Sequence, residues 1–477
     1  MRGNAKSERL KGAVNEAGAR QDFDWPLADD AEQLLRMRLE NFLDRNGFAR
    51  HLSQSMLDLT GTDFFEWIDH FILPAEDAEK LQAAGFAEDK VLTGHNSEPV
   101  YEHPRATLPR VLLRPGRAES AAVIAIRPEF VADFVARQNL ASAVEGEPFS
   151  RYRRVVVAEE RGAQLEAIER RGYRGFIPAP LGRDELRAII KARELWQTRQ
   201  RRFENEAEGF ERAGKVLNQV LTLIPRDVAC RLFFENERAY WESRNRAARI
   251  QKHKQDQLGL GWGNHDHHTF RCSREYFLDL IEFLSRLGLI KRERYYAGAE
   301  AGWGAQILEN QVTSIVVFAD VDLLPEEREI DFSTTRLPAA ASLGTVGLWV
   351  GLHGESLLEA GMHHLEARFE FDRLRAQLQD EGVNLMKPFS DFSFLRQAFT
   401  QGERWPVRRA RAARLLSGGL ISREHFDRVM HEGALGSHLE NLQRHGGYKG
   451  FNQKSVSVVI AATDPRKAHF ATAGARA

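Results

Sequence analysis

Cysteine is nearly absent. Two occur in 477 residues, Cys230 and Cys272, too few for a disulfide framework or a thiolate zinc site, and this scarcity fits a reducing compartment. Net charge is missing as well: 67 Lys and Arg stand against 68 Asp and Glu, for a formal charge of -1 and a pI near 7.0. Neither nucleic acid nor an anionic membrane is therefore expected as a partner, and any anion site has to be local. No run of about 18 apolar residues occurs, which excludes a transmembrane helix. No G-x-S-x-G elbow is present, and the glycines of GLGWGN are not followed by a phosphate-binding helix, so serine-hydrolase and nucleotide readings have no support.

What is present is an ordinary folded composition, 43% apolar and 28% charged, in a chain too long for one core. Residues 1–30 are polar, lack the apolar stretch of a signal peptide, and read as a flexible leader in a cytoplasmic protein. Residues 31–181 read as an N-terminal α+β domain. AEQLLRMRLENFLDRNGF is a helix stopping at Asn46-Gly47, and the apolar runs FFEWIDHFILP, LPRVLLRP and SAAVIAIRP are strands. RYRRVVVAEERGAQLEAIERRGYRGFIPAP is expected to run strand, helix, strand. Residues 182–257 mix acids and bases at helical spacing and read as a solvated helical connector. Residues 258–477 hold nearly all the histidine-rich motifs.

Those motifs contain a repeat. His267 and Arg271 stand as H-x-x-x-R before a helical stretch ending at Gly288, and His364 and Arg368 repeat the spacing before a stretch ending at Gly382. On a strand, residues four apart share a face, so each copy is expected to send an imidazole and a guanidinium to one side. Two such βαβββ units closing into a curved mixed sheet would bring the two histidines together in a vicinal-oxygen-chelate type of site. A catalytic iron needs a carboxylate besides. Glu440, in GALGSHLENLQRHGGYKGF, and Glu309, in AGWGAQILENQ, are the candidates.

The motifs HHTFR from His267, HHLEARFEFD from His363 and LENLQRHG from Leu439 resemble those of the 2-oxoadipate dioxygenase/decarboxylase family, the hydroxyglutarate-forming enzymes with a vicinal-oxygen-chelate-like core. The resemblance covers roughly the C-terminal half. It departs in the second motif, which lacks a Thr-Pro, and in the third, where Asn441 replaces an apolar residue. It implies His267, His364 and Glu440 as metal ligands and Arg271 as the grip on the substrate carboxylate, with Val456 and Ser457 of KSVSVVI against the substrate. The implied chemistry is Fe(II)-dependent: a 2-oxo acid and O2 give a 2-hydroxy acid one carbon shorter, with loss of CO2. The competing reading is a non-oxidative isomerase, lyase or hydrolase of the same superfamily using Mn, Ni or Zn. Homo-oligomerisation is left open.

Single histidines on strands are most often packed side chains, and the repeat is what lifts His267 and His364 above that. His265, Asp266 and His268 are candidates for orienting the ligand imidazoles. His70, in WIDHFILP, resembles the first strand of a further module that has lost its metal. His103, His353 and Glu355 carry less weight.

Overall fold

The computed structural model describes residues 25–96, 98–116, 122–298 and 301–452. The chain is α+β, built on two mixed sheets. The first has seven strands: β1 (Ile68–Pro74), β2 (Ala87–Glu88), β3 (Val100–Glu102), β4 (Arg110–Arg114), β5 (Ala122–Ile126), β6 (Tyr152–Glu160) and β7 (Ala163–Arg170). The second has nine: β8 (His265–Arg271), β9 (Ile290–Tyr296), β10 (Trp303–Asn310), β11 (Ile315–Asp322), β12 (His364–Arg368), β13 (Ser390–Phe392), β14 (Leu395–Phe399), β15 (Glu403–Trp405) and β16 (Ala434–Arg444).

The strand orders are β2-β3-β4-β1-β5-β7-β6 and β13-β14-β16-β12-β8-β11-β10-β9, with β15 on the far half of β16. Both decompose in the same way. A first strand, a helix and an antiparallel run follow one another, and the last strand of the run returns parallel to the first. This holds for β8 with β11, β12 with β16, β1 with β4, and the shorter β5 with β7. In each sheet two modules meet through antiparallel first strands, β1 on β5 and β8 on β12. Paired βαβββ modules of this order are the vicinal-oxygen-chelate architecture. The N-terminal sheet is thus a second pair of modules.

The repeat helices form as their pattern requires. Phe277–Arg286 buries Phe277, Leu280, Ile281 and Leu284, and Phe371–Asp380 buries Phe371, Leu374 and Leu378, the spacing of one helical face. Gly288 and Gly382 follow with φ of 86° and 71°, the left-handed conformation that ends a helix.

Two expectations fail. Residues 163–170 are a strand, not a helix: β6 and β7 form a hairpin across Arg161 and Gly162, whose φ angles of 48° and 75° suit a tight turn between twisted strands. Nor are residues 182–257 a solvated connector. Their helices Arg183–Gln197, Glu206–Leu223, Arg226–Glu242 and Arg246–Asp256 share one apolar core with Phe270, Val317 and Leu365 of the second sheet. The charges that suggested solvation are partly internal. Glu237 is fully buried and accepts hydrogen bonds from Arg199 at 2.8 Å and Arg201 at 2.6 Å. Among the described residues no helix is long and apolar enough to cross a membrane.

Removing the acid of that triad strands a buried guanidinium, so Glu237→Ala should cost about 3–5 kcal/mol in urea denaturation. A loss below about 1 kcal/mol would place Glu237 in the range of exposed pairs and contradict its burial.

Candidate metal centre

Alternation along the strands decides which side chains meet. On β8, His267, Thr269 and Arg271 share one face; the registers align with them His364 and Glu366 of β12, His438 and Glu440 of β16, Phe399 of β14, and Phe318 and Asp320 of β11. Glu366 is paired in register with His267 on one side and Glu440 on the other, and His364 with Thr269 and His438. Apart from Glu366, which lies behind them, these side chains line a cavity of about 50 Å³ walled also by Tyr295, Trp303, Phe389 and Phe451, room for an ion and a few waters.

His364 Nε2 lies 3.0 Å from Glu440 Oε2, and His267 Nε2 lies 3.7 Å from the same oxygen. Behind them, His364 Nδ1 is hydrogen-bonded to His363 Nδ1 at 2.9 Å, while His267 Nδ1 stands at ion-pair distance, 2.9 Å, from Glu366 Oε1. Both Nε2 atoms are turned toward Glu440, and His364 Nε2 also lies 2.9 Å from Thr269 Oγ1. The Gln397 amide donates to Glu366 at 2.9 Å and more weakly to Glu440 at 3.3 Å, tying the two carboxylates together. Donor atoms of His267, His364 and Glu440 all fall within 4.8 Å of one another. That is the two-histidine, one-carboxylate set that suits Fe(II) and leaves coordination positions open.

The electrostatics fit a cation. Burial, and then the charge of Glu366, push the Glu440 carboxyl well above its usual range. Burial holds His364, His363 and His438 well below the usual imidazole value, so they are neutral and able to donate lone pairs. His267 is the exception: burial opposes its charge, but Glu366 and Asp266 outweigh burial and raise it to about 9. Carboxylates thus collect around a site whose remaining imidazoles supply no positive charge.

The second copy of H-x-x-x-R departs from expectation. Arg271 does share the cavity with His267, with Nε 3.9 Å from Asp320. Arg368 does not share it with His364. The β8–β12 register pairs Glu366 with His267 but Ala367 with His265, leaving Asp266 as an extra residue in a bulge. Arg368 therefore binds Asp266 Oδ2 at 2.8 Å and Glu66 at 3.4 Å, outside the cavity.

Among the remaining candidates, Asp266 Oδ1 lies 3.6 Å from His267 Nδ1 and is also held by Arg444 at 3.2 Å. His265 and His268 point elsewhere, His265 Nδ1 to the Trp262 carbonyl and His268 onto Phe234 and Arg238 of the helical layer. Glu309 pairs with Lys449 at 3.1 Å and Arg292 at 3.6 Å and belongs to none of the metal-competent groups among the described residues. His70 is bonded to Asp69, His103 packs on Phe86, His353 is hydrogen-bonded to the Leu435 carbonyl, and Glu355 accepts from Ser273 N. Val456 and Ser457 lie outside the described residues. Sequence reasoning missed Glu366, His438 and Gln397. The first two stand two residues from His364 and Glu440, so strand alternation alone would have placed them on the same face.

No protein-family model matches the chain, and no curated protein matches it significantly. Solved structures similar to it include a mutant of 4-hydroxymandelate synthase from Streptomyces coelicolor, at 12% identity and TM-score 0.28, covering 84% of this chain and 99% of that one. Another is methylmalonyl-CoA epimerase from Mycobacterium tuberculosis, at 13% identity and TM-score 0.22, covering 38% of this chain and 88% of the epimerase. A third is a xylose isomerase-like TIM barrel/4-hydroxyphenylpyruvate dioxygenase fusion protein, at 10% identity and TM-score 0.25, covering 85% of this chain and 53% of the fusion. At such scores these likenesses add nothing to what the strand order already establishes.

If Glu366 orients His267, Glu366→Gln should weaken divalent metal binding about 10- to 100-fold without abolishing it. Metal titration of the two proteins measures this, and equal affinities would remove Glu366 from the centre.

Proposed function

We propose that the chain is an Fe(II)-dependent dioxygenase/decarboxylase that turns a 2-oxo acid of the 2-oxoadipate kind into a shorter 2-hydroxy acid, with O2 as co-substrate and loss of CO2. His267, His364 and Glu440 would hold the iron. The observation that carries this reading is the presentation of two imidazole Nε2 atoms to one buried carboxylate oxygen, at 3.7 and 3.0 Å. Iron bound there would supply oxygen activation coupled to decarboxylation of the chelated 2-oxo acid.

The chain's own contribution is positioning and exclusion. His363, bonded to His364 Nδ1, and Glu366, 2.9 Å from His267 Nδ1, orient the two rings so that their Nε2 atoms point to the site. Arg271, on the face of His267, offers a planar fork for a substrate carboxylate and so sets which end of the acid enters first. Asp320, raised to about 7 by burial against the pull of Arg271 and His267, competes weakly with an incoming carboxylate near neutral pH. Phe318 packs 4.3 Å from the His267 ring and Phe399 5.5 Å from that of His364, keeping bulk water from the centre.

The purified protein should bind about one divalent metal per chain, the stoichiometry of a single three-ligand site. His267→Ala and His364→Ala should each lose most of it, and full occupancy in both variants would sink the site. Glu440→Gln should lose metal where Glu309→Gln keeps it; the reverse result would reassign the carboxylate.

The activity itself is read by oxygen uptake on a panel of 2-oxo acids, beginning with 2-oxoadipate. Arg271→Lys should keep its metal and lose about 10- to 100-fold in kcat/KM, the worth of a charge-assisted fork. Equal rates would remove Arg271 as the grip. No uptake by the wild type with iron confirmed in the site would favour a non-oxidative metalloenzyme.

A further inference from the structure

Between the two sheets runs a cleft of about 360 Å³, and its N-terminal wall carries Arg110, Arg127 and Arg170. All three converge on one acid. Asp69 accepts two hydrogen bonds from Arg170, each at 2.9 Å, and one from Arg110 at 3.4 Å, while Arg127 stands 4.0 Å away. The same carboxylate also holds His70 Nδ1 at 2.8 Å. Three of these contacts crowd onto Oδ1, and Arg127 stands 4.0 Å from Oδ2, beyond hydrogen-bond reach.

Among the described residues no other carboxylate lies within ion-pair distance of these three guanidiniums, so three cations face one anion. Arg174, next to them, does not change the balance, because it has its own partners in Glu102 at 2.6 Å and Asp89 at 3.5 Å. The setting is partly shielded from water: the Asp69 side chain is 3% exposed, and those of Arg110 and Arg127, at 15% and 25%, reach the cleft. Unmatched charge in such a place is costly unless something supplies the counter-charge. Burial and the neighbouring Arg170 pull Arg110 down to about 9, and burial with Arg231 pulls Arg127 to about 10 against the attraction of Asp69. A bound anion would reverse both shifts.

We propose that this wall of the cleft is a binding site for a compact dianion, a phosphate group or a dicarboxylate, gripped by Arg110 and Arg127 beside the Arg170–Asp69 pair. The site is separate from the metal centre and does not depend on the function assigned to it. Arg127 offers its fork, and Arg110, whose Nη1 also donates to the Arg174 carbonyl at 2.8 Å, adds a second positive charge on the same wall, which suits a phosphate or one end of a diacid. Here the N-terminal module pair, whose first strand carries Asp69 and His70, binds with arginines where the C-terminal pair gathers histidines and carboxylates.

Calorimetric titration of the full chain at fixed ionic strength tests this, with inorganic phosphate in one arm and glutarate in the other. Saturable binding of either probe at one site per chain is expected, and the arm that binds names the chemistry. Arg127→Met removes the guanidinium with the weakest internal pairing, so the fold should survive while affinity falls about tenfold or more. Asp69→Asn should move affinity the opposite way, because it removes the competing carboxylate. Arg271→Lys should leave phosphate binding unchanged. No saturable binding of either probe, wild-type affinity in Arg127→Met, or loss of phosphate binding in Arg271→Lys would each overturn the site.

Discussion

The antiparallel pairing of β8 with β12 is the constraint on which the rest depends. It joins the two C-terminal modules, and its register sets Glu366 opposite His267 and His364 opposite Thr269. Through the parallel pairing of β12 with β16, the same rows extend to Glu440 and His438. A slip of one residue would turn every one of these side chains to the other face. The helical layer guards against that slip, because the outward residues of the same strands, Phe270 of β8 and Leu365 of β12, are sealed in its core. The apolar face and the polar face fix each other.

A concave face holding so many titratable groups costs stability, and the chain offsets the cost locally. Asp266, left over at the bulge, is held well below the usual carboxylate range by Arg444 and Arg368 against the effect of burial. Gln397 spans Glu366 and Glu440. His438 lies 4% exposed with its Nε2 unpartnered, stacked 4.9 Å from the His364 ring. What is left unbalanced is the Glu440 carboxyl, and a cation at that position would relieve it.

Much of this was legible in the sequence because period and spacing are local properties. The H-x-x-x-R copies, the amphipathic helices after them and the closing glycines define two modules before any contact is known. Glu440 was reached through a resemblance, and the geometry sets it, not Glu309, beside the two histidines. The failures have physical causes. Residues 163–170 alternate charge in a way that suits a helix face as well as a strand, and the Arg161-Gly162 turn decides between them. Acids and bases in the helical stretch look solvated until Arg199 and Arg201 are seen to close on Glu237. Arg368 obeys the repeat in sequence and leaves it in space, because a bulge is a property of two paired strands and neither strand's spacing contains it.

The same strand order in the N-terminal sheet, joined in the same antiparallel way, makes the molecule a pair of pairs. Among the described residues, only one pair has gathered metal-competent imidazoles and carboxylates on a common face, and that contrast locates the central claim. Anomalous diffraction at the iron edge, from crystals grown anaerobically with Fe(II), tests it most directly. The account predicts one peak per chain at bonding distance from His267 Nε2, His364 Nε2 and a Glu440 oxygen. A peak centred on His363, His364 and His438, or no peak on the concave face of the second sheet, would contradict it.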